Sequence, residues 1–279
     1  MTLQPQDMDE NITQVAFEIA IKRLYGTNIR LKNEEDAIHL FATALWLGMD
    51  DLVEQCVEFM VRQLTTLNLA KFIQLVTDND YGTAGIRVLS CAKAILYKVG
   101  WEMSLSCWNG IPAEIVKDVI GGDAFYIPSE WERWCLAAKL LNSSLKVHAT
   151  ELEIISETGV VLEQKPLGLD TTTLLLSQFS GPWASLYLSA QIVPLLALLH
   201  KHIHYVHLQF EHLHFIKNAR DILDMPFVPE SIVSNAMWMQ MQLRQNVINC
   251  QDIDNELDFT IEEEVPDDEE GQEDNSDNF

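Results

Sequence analysis

Residues 200 to 214, HKHIHYVHLQFEHLH, hold six of the eight histidines in the chain. Imidazole at this density raises metal chemistry first, because neutral histidine is the commonest protein metal ligand. A zinc site needs three or four nitrogen, sulfur or oxygen donors converging on one point. Read as a helix, the segment lays His200, His204, His207, Glu211 and His214 along one stripe. That stripe is ~21 Å long, so only neighbouring pairs reach a common ion. Read as a strand, His202 and His204 share a face with Val206, Leu208 and Phe210, while His207 and Gln209 take the other, and again only pairs meet. The expected role is therefore structural: imidazoles solvated or hydrogen-bonded beside an apolar face. A competing reading, a metal-binding protein or metal-dependent enzyme centred on 200–214, has His200, His202, His204 and His207 as its candidate ligands. Six imidazoles with unperturbed pKa near ~6.5 would also gain charge together as pH falls, a change that an acidic neighbour favours.

Other chemistry finds no foothold. The chain has no GxSxG, no phosphate-cradling GxxxxGK[ST], no GxGxxG and no HExxH. Cys107, in SLSCWNG, lies beside a tryptophan and a turn without an identified base, and reads as a partly buried structural thiol. No catalytic residue and no cofactor is assigned.

The formal charge of −24 sits largely at one end: residues 251 to 279 carry fourteen Asp and Glu and no Lys or Arg, leaving −10 on the rest. Nucleic-acid binding neutralises phosphates with clustered Lys and Arg, and the densest basic run here is IKR at 21 to 23, so no direct nucleic-acid partner is expected. Five cysteines (Cys56, Cys91, Cys107, Cys135, Cys250), odd in number and without CxxC, signal neither a disulfide framework nor a zinc ribbon. No apolar run reaches ~18 residues and the N-terminus is polar, so a soluble chain of the cytoplasm or nucleus, without membrane contact, is expected.

The elements follow from periodicity and stop signals. ITQVAFEIAIKRLYG reads as an amphipathic helix closed at Gly26. Asn33 is an N-cap candidate with Asp36 three residues on, Gly48 ends that helix, and Asp50 can cap the next, giving a tight antiparallel hairpin. Further helices are expected near 69–77, 84–99, 112–120 and 129–142, the last with Trp131, Trp134, Cys135, Ala138 and Leu141 as its buried stripe. After about residue 145 the texture becomes β-branched: KVHATELEIIS and GVVLEQ flank the turn signal ETG, and TTTLLLSQF is another strand candidate. The expected fold class is α+β, mainly α. Its parts are a disordered 1–10, helical segments 11–66 and 67–145, a mixed α/β domain 146–250 and a disordered acidic tail 251–279. AMWMQMQLR (236–244), three methionines around a tryptophan, reads as core, with an adaptable binding surface as the alternative. The acidic tail keeps the chain solvated by default and could capture basic proteins.

One stretch, FEIAIKRLYG through DAIHLFATALWLGMDDLVEQCVEFMVRQL to LNLAKFIQLV, resembles the C-terminal half of a BTB/POZ domain running into a BACK-like helical region. The resemblance rests on Leu24 and Tyr25 closing a helix, the Leu47-Gly48-Met49 turn, Leu52, Cys56 and Phe59 in the hairpin, and Asn68 opening the next helix. It covers roughly residues 9 to 145, and YIPSEWERWCLAAKLL looks like the fungal proteins of this kind. It implies a non-enzymatic adaptor or scaffold joining a partner to a larger assembly, a cullin-type ubiquitin ligase or a transcriptional complex. It also implies that Leu24, Tyr25, Leu47, Met49, Leu52, Cys56 and Phe59 pack to shape the module. About sixty residues that precede this point in the family have MTLQPQDMDEN in their place, which puts the family's usual homodimer, and with it cullin recruitment, in doubt.

Overall fold

A computed structural model describes residues 8–166 and 181–258. Five helices open the chain: α1 (Gln14–Leu24), α2 (Glu34–Leu47), α3 (Asp50–Gln63), α4 (Leu69–Asp78) and α5 (Gly82–Val99). A 3-10 turn (Gly100–Glu102) leads to α6 (Leu105–Trp108), α7 (Ala113–Ile120) and the long α8 (Glu130–Glu151). Then come α9 (Pro182–Tyr187), α10 (Val193–Lys201), a 3-10 turn (Tyr205–His207), α11 (Phe210–Asn218) and α12 (Glu230–Asp258).

Local chemistry sets the boundaries. Thr13, Asn33 and Ser129 each accept a hydrogen bond from the backbone N–H three residues on, at 3.2, 2.7 and 3.2 Å, satisfying a donor that the helix start leaves without a partner. Between α2 and α3 the chain reverses over Gly48 and Met49, with Gly48 at φ +68° and the Met49 N–H donating to the Ala44 carbonyl at 2.9 Å. That turn is so short that Asp50 is already helical; Met49 holds the cap position without a side-chain bond, and Asp50 contributes only its charge at the helix start.

Two apolar cores result, and α4 and α5 border both. The first gathers Ala16, Ala20, Leu40, Phe41, Leu52, Cys56 and Met60 with Phe72, Leu75, Tyr81 and Val88. Burial there pushes the Cys56 thiol up to about 12, so it is an inert packing group. The second takes Leu69 and Ile73 from another face of α4 and Ala92 and Leu96 from farther along α5, and packs them with α7, α8, α10 and α11.

The mixed α/β domain expected over 146–250 is not present among the described residues, which are mostly helical there. α8 runs straight through residue 145 because Leu141, Leu145 and Ala149, spaced by four, continue its buried stripe. That packing outweighs the strand preference of Val147 and Thr150. The stripe also differs in detail: Trp134, Ala138 and Leu141 are buried, whereas Trp131 and Cys135 are only half-buried. The ETG signal does make a turn, with Gly159 at φ +83°, but it joins a single antiparallel bridge, Ile155 to Val161, and no sheet. TTTLLLSQF lies outside the described residues. At the two chain ends, residues 1–7 and 259–279 lie outside them as well, while 251–258, expected in the tail, fall within α12.

A buried carboxylate fastens the segment between α11 and α12. Asp221 accepts the Tyr187 hydroxyl at 2.6 Å and the Leu223 and Met225 N–H groups at 2.8 and 3.0 Å. Burial raises its pKa above the ordinary carboxylate value, and those three hydrogen bonds partly offset the rise. A carboxyl that holds its proton more tightly when folded favours folding at pH below its unfolded pKa, and this contribution is lost as pH rises through the folded value. Asp221→Asn, whose Oδ1 can accept from both N–H groups while its Nδ2–H donates to the Tyr187 oxygen, is expected to abolish that share of the pH dependence and to change stability by within about 1 kcal/mol at neutral pH. Asp221→Ala should cost about 3 kcal/mol. Urea denaturation of both variants across pH 4 to 8 checks this.

Candidate interaction surface

The histidine-rich segment is neither one helix nor a strand. α10 ends at Lys201, the chain makes a 3-10 turn over Tyr205–His207, and α11 starts at Phe210. Local apolar alternation gave way to anchoring: Ile203, Tyr205 and Leu208 are buried in the second core. The turn is clamped from two sides. Glu130 at the start of α8 accepts the His204 N–H at 3.0 Å, and Gln240 of α12 donates to the Val206 and Leu208 carbonyls at 2.9 and 2.6 Å. Tyr205 donates to the Leu199 carbonyl at 2.7 Å, and burial raises the pKa of its hydroxyl.

The six imidazoles consequently spread over several surroundings. His200 Nε2 faces the Phe227 carbonyl at 3.2 Å. His202 lies against the end of α7, where a Cβ on Gly121 would come within 2.9 Å of it; only glycine admits this approach. His204 and His207 are exposed, with ring centroids 6.0 Å apart. His212 stacks on Trp131 at 4.1 Å and 5°. Exposed His214 lies on α11. Among the described residues no group of three or more His, Cys, Asp or Glu side chains could hold a metal ion. Elsewhere His148 bonds Glu151 at 2.8 Å beside a cleft of about 440 Å³ that Ser143 and Ser144 also line, yet neither serine hydrogen-bonds the imidazole. Cys107 is half-buried, with Ser104 Oγ at 3.2 Å.

Glu130 has a second task. Its Oε1 stands 3.2 Å from Arg133 Nε, an ion pair without hydrogen-bond alignment, and Arg133 Nη1 donates to the Ile120 carbonyl at 3.1 Å. One carboxylate thus joins the ends of α7 and α8 to the histidine turn.

Of the residues expected to shape the module, Leu52 and Cys56 are fully buried, Met49 is buried, and Leu47 and Phe59 are half-buried against the first core. Leu24 and Tyr25 differ: they are 64% and 87% exposed, since α1 packs through the small residues Ala16 and Ala20 and its last turn lies beyond that contact. Residues 1–60 match the family model for the BTBDG BTB/POZ domain. No curated protein and no solved structure matches the chain. The BTB/POZ match takes in α1, α2 and most of α3, the part built around the first core. A BTB/POZ domain is a protein–protein interaction module and not a catalytic one. No helix among the described residues is long and apolar enough to cross a membrane.

Surface chemistry suited to protein contact lies in two further places. Between α8 and α11, Trp131 stacks on Trp134 at 5.4 Å and Phe215 meets both edge-on at 5.7 and 6.0 Å. They line a groove of about 310 Å³ bordered by Lys139 and Arg220. The second place is α12. Core packing was the expected role of AMWMQMQLR, but only Ala236 of that run is buried, while Trp238 and Met241 are 58% and 61% exposed. The helix has left the body by then, so its later side chains have no core to enter. The sequence does carry a trace of this: apolar residues fall on both sides of the helix, which one core contact cannot cover.

Replacing Glu130 leaves Arg133 buried without its counter-charge. Glu130→Ala is expected to cost about 3 kcal/mol in chemical denaturation. The same variant should speed hydrogen exchange at the His204 amide, measured by NMR, before it affects amides in α2 or α3.

Proposed function

We propose that the chain is a non-enzymatic adaptor or scaffold that uses its BTB-like N-terminal part and its helical body to join one protein to a larger assembly. The observation that carries this reading is the match of residues 1–60 to a BTB/POZ model, a module whose role is contact with other proteins. Supporting it, the side chains of highest chemical interest are in structural use. Cys56 is sealed in the first core, Tyr187 and Asp221 pin a loop, and the histidines diverge over several elements.

On this reading the helices of 67–145 act as a BACK-like extension of the fungal type, and the larger assembly is a cullin-type ligase or a transcriptional complex in the cytoplasm or nucleus. Exposed Leu24 and Tyr25, at the end of α1, suit contact with another protein better than internal packing. Capture on the full chain from a native lysate, followed by mass spectrometry, should return a reproducible partner set. Leu24→Ser with Tyr25→Ser, which removes exposed side chains only, is expected to deplete at least one member tenfold or more. Recovery of no specific partner overturns the adaptor reading.

A further inference from the structure

α12 is rooted in the second core and then leaves it. Val233 and Ala236 are buried, Gln240 holds the histidine turn, and every residue from 241 to 249 is exposed. At ~100° per residue, Met239, Leu243 and Val247 line one side of the projecting helix, and Trp238, Met241 and Ile248 line the opposite side. All six are about half exposed or more. A flat surface covers one side of a helix; both sides are covered only in a groove.

Charge narrows the occupant further. Residues 236 to 249 carry a single charge, Arg244, and the sequence beyond them carries fourteen acids and no base. A second copy of the chain would bring an acidic body of −10 and an acidic tail of −14. Each copy carries a net charge of −24, so like charges oppose association. A partner with a basic rim reverses that sign. We propose that residues 238–249 of α12 dock in an apolar, helix-sized groove of another protein whose rim carries Lys and Arg, with Trp238 and the methionines as the seated side chains. Aromatic rings supply rigid contact area, and thioethers adapt to an irregular groove floor.

The proposal rests on the adaptor reading and specifies one of its contacts; capture through the exposed end of α1 can succeed even where this contact fails, so the two are separable. The test uses the full chain and a designed helical hairpin that presents a leucine-lined groove between lysine-bearing edges, with a glutamate-bearing twin as control. Fluorescence anisotropy of the labelled hairpin should show binding at least tenfold tighter to the lysine form. Leu243→Gln with Val247→Gln, and separately Trp238→Gln with Met241→Gln, should each weaken it tenfold or more while far-UV circular dichroism stays unchanged. Equal affinity for both hairpins, no binding to the lysine form, or loss in only one of the two double variants overturns the proposal. So does binding that both variants retain, which would assign it to the acidic tail alone. Sedimentation velocity provides the last arm: a dimer of the chain that both double variants abolish would assign α12 to a second copy and overturn it too.

Discussion

α4 is apolar on two faces, α5 carries one apolar stripe from the first core into the second, and the rest of the molecule is arranged around these two helices. On α4, Leu69 and Ile73 enter one core while Phe72 and Leu75 enter the other. On α5, Val88, Ala92 and Leu96, spaced by four, form one stripe that begins in the first core and ends in the second. A helix with one apolar stripe ends a layer, whereas one with two must be packed from both sides. The α1–α3 unit that matches a BTB/POZ model and the helical body are therefore two cores sharing a wall. Shifts at the base of α4 are felt in both, because close-packed interiors transmit displacement better than they absorb it.

The histidine turn repeats this arrangement on a smaller scale. It joins α10 to α11, yet its geometry is imposed by side chains from far along the chain: Glu130 on one side and Gln240 on the other. Glu130 is at the same time the counter-charge of a buried arginine, and Gln240 bonds α12 to the body. The turn thereby couples the start of α8 to the root of the projecting helix. Histidine contributes little of this directly. The hydrogen bonds to Glu130 and Gln240 use backbone groups of the turn, with the His204 ring adding only a 3.6 Å approach of Nδ1 to Glu130 Oε1, and the buried contacts come from Ile203, Tyr205 and Leu208.

Much of the fold was legible because the signals were local. Asn33 announces α2 by the bond it makes, Gly48 stops it in the left-handed region, and periodicity locates α3, α4, α5 and α7 within a residue or two. The strand expected in KVHATELEIIS was misread because β-branching is a local preference, while the decision at Val147 and Thr150 was made by Leu145 and Ala149 reaching the second core. Leu24 and Tyr25 show the same limit from the other side: the resemblance implied that they pack, but only tertiary geometry reveals where α1 outruns its contact. The turn's clamps join residues 32 to 74 positions apart, a separation at which spacing rules carry no information.

Composition alone made AMWMQMQLR look like core, and the reason it is not bears on how α12 persists as a helix. An isolated helix of this length is marginal in water, since nucleation is costly and most helical stability comes from packing. α12 escapes the nucleation cost because its first turns are formed in the body, where Val233 and Ala236 are buried and Gln240 is bonded. Propagation then adds residues one at a time, and Met, Gln, Leu and Arg, which dominate 237 to 245, are among the better helix formers. The projecting segment is thus pre-formed by its root. A partner that binds it need not supply the ordering entropy that a disordered segment would demand, so more of the apolar contact is available as affinity.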